Sequence, residues 1–205
     1  MTTTSPITFA SPDRREEAAR ADLYGLLAAL FYAPPTQALL DRIGAPRTLS
    51  GDGVLERAYA ELAEAAKQAR AEVVRDEYEA LFIGVGKPEV MLYGSFYLSG
   101  FLMEKPLAAL RTDLAALGLE RSDSLVESED HIAALCEVMR YLIVSDEVAP
   151  DNIALQKTFF ATHMRTWVGT LCAAVRAHPH ASFYAAVAHF AAVFFEVEGQ
   201  AFDMA

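Results

Sequence analysis

Between positions 120 and 131 the chain gathers five acidic side chains, Glu120, Asp123, Glu127, Glu129 and Asp130, against one base, Arg121, and the run closes on His131. Carboxylates spaced this closely can coordinate a metal, exchange protons with a neighbouring histidine, or hold a cationic ligand. Upstream, residues 90–98 read Val-Met-Leu-Tyr-Gly-Ser-Phe-Tyr-Leu, an apolar and aromatic stretch without a formal charge. It is expected as a loop, because Gly84 and Gly86 stop the helix before it and Pro88 prevents its resumption. Taken alone, Tyr93, Phe96 and Tyr97 read as a loop folded onto the core. Beside an acidic cluster, the same aromatics could form the apolar half of a binding surface.

Each chemistry makes a demand that the sequence can be held to. A di-iron bundle needs Glu-x-x-His twice, with two further carboxylates. Glu127 to His131 is one residue too long, and neither His163 nor His189 has a glutamate three residues before it. Both histidines lie close to apolar faces and read as packed core or edge residues, so no metal ligands are expected. A helical, di-iron-like metal-binding protein is nevertheless the alternative from a different class. Cys136 and Cys172 sit in helical patterns with no CxxC and no nearby His–carboxylate pair, which reads as buried thiols. No GxSxG occurs. Gly84-Val85-Gly86-Lys87 fails as a phosphate loop, because Leu81 stands where glycine is needed and Pro88 where Ser or Thr is needed. No catalytic residues and no cofactor are expected.

A helix start accounts for part of the acidic run. Ser128 is expected as the N-cap, with Glu129 and Asp130 in a first turn that favours negative charge. That leaves Glu127 and His131 unexplained. Neighbouring acids favour a protonated imidazole and the helix dipole opposes it, so His131 gains nothing there.

The elements around these residues are helical throughout. Asp13 is expected to cap a helix with Leu23, Leu26, Leu27, Leu30 and Phe31 on one face, ended by Pro34-Pro35. A short helix carries Leu39, Leu40 and Ile43, and a third carries Leu55, Tyr59 and Leu62. Val74, Tyr78, Leu81 and Phe82 fall on one face of a fourth, and whether the chain breaks near Ala71 stays open. Leu107, Leu110, Leu114 and Leu117 mark a helix ended by Gly118. Ile132, Leu135, Cys136, Met139, Leu142 and Ile143 give a clean helical period. Pro150 is expected to start a helix with Phe160, Met164, Trp167, Leu171 and Val175 inward, broken by Pro179. Phe183, Val187, Phe190, Phe194 and Val197 mark the last. No strand and no repeat is evident. The expected fold is all-α, a single domain of about eight to ten helices over residues 12–205 behind a flexible tail at 1–11.

Bulk properties narrow the partners. A 205-residue chain that is 53% hydrophobic can bury a substantial core. Its formal charge of −11 argues against nucleic acid and favours a basic partner. A ligand-sensing transcriptional regulator is disfavoured by that charge and by the lack of a basic recognition helix. No apolar run reaches the roughly 20 residues of a membrane span. Arg14-Arg15 precedes Glu16-Glu17 rather than an apolar segment, so it does not read as an export signal. A cytoplasmic location is expected.

Three motifs together carry a resemblance. Glu-Tyr-x-x-Leu-Phe-Ile-Gly at 77–84, Tyr-Gly-Ser-x-Tyr-Leu at 93–98 and Glu-x-Glu-Asp-His-Ile at 127–132 resemble the TorD/DmsD/NarJ family of chaperones for molybdenum-cofactor enzymes. Phe160-x-x-His163-x-x-x-Trp167 is similar to a further pattern of that family, and the order matches across about residues 20–198. Ser128 departs from it, standing where the family usually has proline. The resemblance implies a cytoplasmic, TorD-like helical protein without enzymatic activity. Its implied partner is a molybdoenzyme catalytic subunit, bound through its twin-arginine signal peptide, its body, or both. It also implies peptide-binding roles for Tyr93, Gly94, Ser95, Tyr97, Glu127, Asp130 and His131, with Tyr78, Leu81 and Phe82 supporting the pocket. A monomer and a domain-swapped dimer both remain open. On the residues alone, carboxylates that hold guanidinium beside an aromatic surface match such a peptide's charged and apolar halves.

Overall fold

The computed structural model describes residues 14–46, 53–121, 126–144 and 152–204. Among them are ten α-helices and one π-helical turn, forming the single helical domain expected. The expected tail at 1–11, the Asp13 cap, Asp123 and the Pro150 helix start lie outside the described residues.

Helix α1 (Arg14–Tyr32) lies against α7 (Ile132–Val144), and this pair forms one side of the molecule. The other side is organised by α10 (Phe183–Met204), which packs on α3 (Val54–Gln68), α9 (Val168–Ala177) and α4 (Ala71–Tyr78). Along α10, Phe183, Val187, Phe190, Phe194 and Phe202 are buried at helical spacing. Tyr24 of α1 meets Phe194 edge-on, with ring centroids 4.8 Å apart, and so joins the two halves. Arg20 reinforces the junction through two 2.8 Å hydrogen bonds to the buried Glu198 carboxylate.

Helix α2 (Gln37–Gly44) follows the two prolines, and Thr36 Oγ1 accepts from Leu39 N–H at 3.3 Å as its N-cap. The chain does break before Ala71. Gln37 Oε1 accepts the Ala71 N–H at 3.0 Å, giving α4 a cap from another helix. Glu77 does the same on a larger scale. Its buried carboxylate accepts the N–H groups of Ser182, Phe183 and Tyr184 at 2.7, 3.1 and 2.7 Å, so α4 caps α10.

After Tyr78 the helix loosens into a π-turn, Glu79–Ile83, and ends at Gly84 with φ +64°. A Cβ there would stand 2.1 Å from the Lys87 carbonyl oxygen, so this turn requires glycine.

The segment 90–98 is not a loop throughout: Gly94–Ser99 forms a short helix, α5, leading to α6 (Lys105–Ala116). The expected single helix through Phe160 and Val175 is two, α8 (Ile153–His163) and α9. At the break, Met164 and Arg165 both donate backbone N–H to Phe160 O. The Trp167 indole N–H donates to His163 O at 2.7 Å, which turns the chain without proline or glycine. The acidic run also precedes its helix rather than opening it, since α7 begins at Ile132.

Candidate functional site

The aromatic and acidic segments are tied to each other by backbone. Tyr93 and His131 form an antiparallel bridge. Its bonds are Gly94 N–H to Asp130 O at 2.9 Å and Ile132 N–H to Leu92 O at 2.8 Å. The helix starts of α5 and α7 are therefore held side by side.

Asp130 fixes this junction. It is 4% exposed, and its Oδ2 accepts the Ser95 N–H at 2.8 Å. Its Oδ1 accepts the Ser128 hydroxyl at 2.5 Å. The carboxylate thus caps α5, and Ser128 serves Asp130 rather than capping α7. Gly94 lies against Trp167, where a Cβ would come within 3.1 Å of the indole. Tyr97 stacks on that indole, 5.4 Å between centroids and 18° between planes, and donates its hydroxyl to Met91 O at 2.9 Å.

The cap of α7 is His131. Its carbonyl accepts the first helical bond from Leu135 N–H, and its Nδ1 accepts the Ala133 N–H at 3.1 Å. A histidine therefore gains something at a helix N-terminus when its imidazole is neutral, contrary to the sequence expectation. An accepting Nδ1 puts the ring proton on Nε2. Burial lowers the His131 pKa, outweighing Glu127 and Asp130, which act to raise it.

Tyr93 is half-buried, meets the His131 ring edge-on at 5.1 Å, and donates its hydroxyl to Glu127 Oε2. Burial and that carboxylate push the phenol pKa well up. Glu129 is held differently: Arg111 of α6 donates Nε to Oε1 at 3.0 Å and Nη2 to Oε2 at 2.9 Å. Burial acts to raise the Glu129 pKa, but the Arg111 hydrogen bonds help carry it below its ordinary value.

Beyond these residues opens a groove of about 530 Å³ between α1, α6 and α7. Its apolar walls include Ala28, Ala29 and Tyr32 of α1 and Ala133, Ala134, Val138 and Tyr141 of α7, with Leu114 and Leu119 opposite. Glu120, Glu127, Glu129 and Glu137 line it as well, with Arg121, whose Nη1 donates to the Glu127 carbonyl at 3.3 Å.

Of the expected contacts, Glu127 and His131 line the groove and Tyr93 adjoins it through Glu127. Gly94, Ser95 and Asp130 are buried beneath the junction, and Tyr97 is not in the lining. Tyr78, Leu81 and Phe82 are buried behind it, where the Tyr78 hydroxyl reaches Phe31 O and Tyr32 O at 3.1 and 2.9 Å. The groove walls escaped the sequence reading. Their signal was the alanine pairs 28–29 and 133–134, small residues that let a ligand approach two helices closely.

Among the described residues, no three His, Cys, Asp or Glu side chains are arranged to hold a metal ion. His163 faces Asp113 at 2.7 Å and His189 faces Glu61 at 3.4 Å, on separate elements. No helix among the described residues is long and apolar enough to cross a membrane.

Three comparisons bear on this arrangement. The family model described as nitrate reductase delta subunit matches residues 51–173. The chaperone protein TorD of Vibrio cholerae serotype O1 (strain ATCC 39541) is 25% identical over 203 residues, covering 90% of this chain and 92% of that protein. Its counterpart from strain ATCC 39315 is 24% identical over the same span. A solved structure described as a redox enzyme maturation protein from Archaeoglobus fulgidus shares the fold at a TM-score of 0.56 and 20% identity. It covers 94% of this chain and 99% of its own.

Proposed function

Because the chain belongs to the nitrate reductase delta subunit family, the TorD/NarJ group of maturation chaperones, we propose that it is a cytoplasmic chaperone for the catalytic subunit of a molybdenum-cofactor oxidoreductase. In this reading it binds the subunit's twin-arginine signal peptide in the groove between α1, α6 and α7. It holds the subunit until the cofactor is inserted and the enzyme is folded for export or assembly. Its work is binding, and it needs no cofactor of its own.

The observation that carries this reading is the groove's composition, an apolar trough whose lining also includes Glu120, Glu127, Glu129 and Glu137. A twin-arginine peptide has the complementary chemistry, two guanidinium groups and then an apolar helix-forming stretch. Carboxylates hold guanidinium through charge-assisted, bidentate hydrogen bonds, and an apolar trough accepts a helix face. The curated TorD relatives match over nearly their whole length, which supports the same role. Phe96, Leu98, Phe101 and Met103 form a separate exposed apolar ridge around the end of α5, and this supports a second contact with the body of the client.

The test is calorimetric titration with a synthetic peptide carrying two arginines ahead of an apolar segment, and with the same peptide carrying two glutamines. The glutamine peptide should bind roughly tenfold or more weakly. Ala134→Trp, which fills the trough, should abolish binding of both. Equal affinity for the two peptides in the wild-type protein would sink the acidic-site reading.

A further inference from the structure

The two carboxylates beside the junction are not equivalent. Glu127 is held at its carboxylate by a neutral phenol, the Tyr93 hydroxyl. Glu129 is already engaged by a guanidinium of the protein itself, with one Arg111 nitrogen on each oxygen at 3.0 and 2.9 Å. The Glu129 side chain is 13% exposed and the Arg111 side chain 55%, so a sheltered anion is paired with a cation standing largely in solvent. Other charges near Glu129 include Arg121, which acts to lower its pKa, Asp130, whose oxygens are engaged by Ser95 and Ser128, and the groove carboxylates Glu120 and Glu127.

We propose that Arg111 is a resident competitor at this site, occupying on Glu129 the fork-on-carboxylate position that an arginine of the bound peptide takes over, and that it thereby weakens the site for any peptide cation that uses Glu129. The inference rests on the peptide-binding reading above and specifies what a ligand must displace there. A ligand arginine that displaces Arg111 replaces two N–H···O bonds with two of the same kind. A ligand lysine offers a single point of charge with no planar fork, so its exchange leaves Glu129 less well held than before. At Glu127 the Tyr93 hydroxyl is a neutral donor, a weaker rival to a ligand cation than Arg111 is at Glu129. The released Arg111 returns to water at little cost, because it is already half in solvent. A cation buried with Glu129 could not be released so easily.

The experiment measures the affinity of three peptides that share an apolar segment and carry Arg-Arg, Lys-Lys or Gln-Gln ahead of it, against wild-type protein, Arg111→Ala, Arg111→Lys and Arg111→Ala/Glu129→Gln. In the wild type, Arg-Arg should bind best. Arg111→Ala should tighten Arg-Arg by roughly two- to fivefold, the scale of one exposed ion pair. It should tighten Lys-Lys by a similar factor, because both peptides must displace the same guanidinium, and leave Gln-Gln unchanged. Arg111→Lys should fall between wild type and Arg111→Ala, and the double variant should show no gain. Unchanged or weakened Arg-Arg and Lys-Lys binding in Arg111→Ala, with the wild type still preferring Arg-Arg to Gln-Gln, overturns the competitor role alone and leaves Arg111 a tie between α6 and the acidic turn. A wild type that binds all three peptides equally overturns the peptide reading itself.

Discussion

At Asp130 both carboxylate oxygens are engaged inside the protein, one by the Ser95 N–H and one by the Ser128 hydroxyl. A ligand guanidinium would have to break a helix cap to use them. Glu127 and His131, three residues before it and one after, line the groove instead. His131 combines two roles, since the residue is part of the groove lining and its imidazole caps α7 through Nδ1. Protonation would replace that acceptor with a donor aimed at an N–H. The sign of the pH effect follows. Burial lowers the folded-state pKa below the ordinary 6.5, so the unfolded chain takes up this proton first. The stability that neutral His131 contributes is complete above 6.5 and is lost as pH falls from there through the lower folded value. His131→Asn keeps a cap acceptor and removes the titration. Urea unfolding midpoints should therefore fall less steeply between neutral pH and pH 5 in the variant than in the wild type. Parallel slopes would remove His131 from the acid response. The sequence contained the residues of this site but not their division of labour. Ser128 reads as a cap in any string, whereas in the fold its hydroxyl donates to Asp130.

Two helices here owe their starts to carboxylates from elsewhere in the chain. Asp130 supplies α5 and Glu77 supplies α10, and neither cap is local enough to be read from sequence windows. That is why Gly94–Ser99 reads as a loop: its six residues have no cap of their own and too little length to declare a period. The break between α8 and α9 is hidden for a similar reason. Phe160, Met164, Trp167 and Leu171 keep a helical spacing across it, and the interruption comes from the Trp167 side chain seeking His163 O. Long amphipathic helices such as α7 and α10 were legible because their buried residues keep a helical period whatever caps them. Glu77→Ala leaves three N–H groups at the α10 start without their acceptor, two of them on buried residues. The expected cost is on the order of 2 kcal/mol. It should appear as a lower midpoint in chemical denaturation, with faster hydrogen exchange confined first to the 182–186 amides. Exchange that rises evenly over all helices would argue against a local cap.

Over the whole molecule, acids exceed bases, and the formal charge is −11. A cationic peptide is therefore drawn toward the protein before it meets the groove, and salt weakens that attraction. The association rate of the Arg-Arg peptide should fall roughly tenfold between low and high salt, with a smaller change in its dissociation rate. The Gln-Gln peptide should show neither trend. Equal salt dependence for both in stopped-flow measurements would mean that the charge of the fold plays no part in capture. Such measurements need no attached dye. The chain's one tryptophan, Trp167, is 1% exposed, stacked on Tyr97 and pressed against Gly94 at the start of α5. Its emission is set by a single environment, and that environment is the back of the junction between the two site segments. Any ligand that shifts α5 must change the fluorescence of this one indole, so the protein carries its own optical gauge of occupancy.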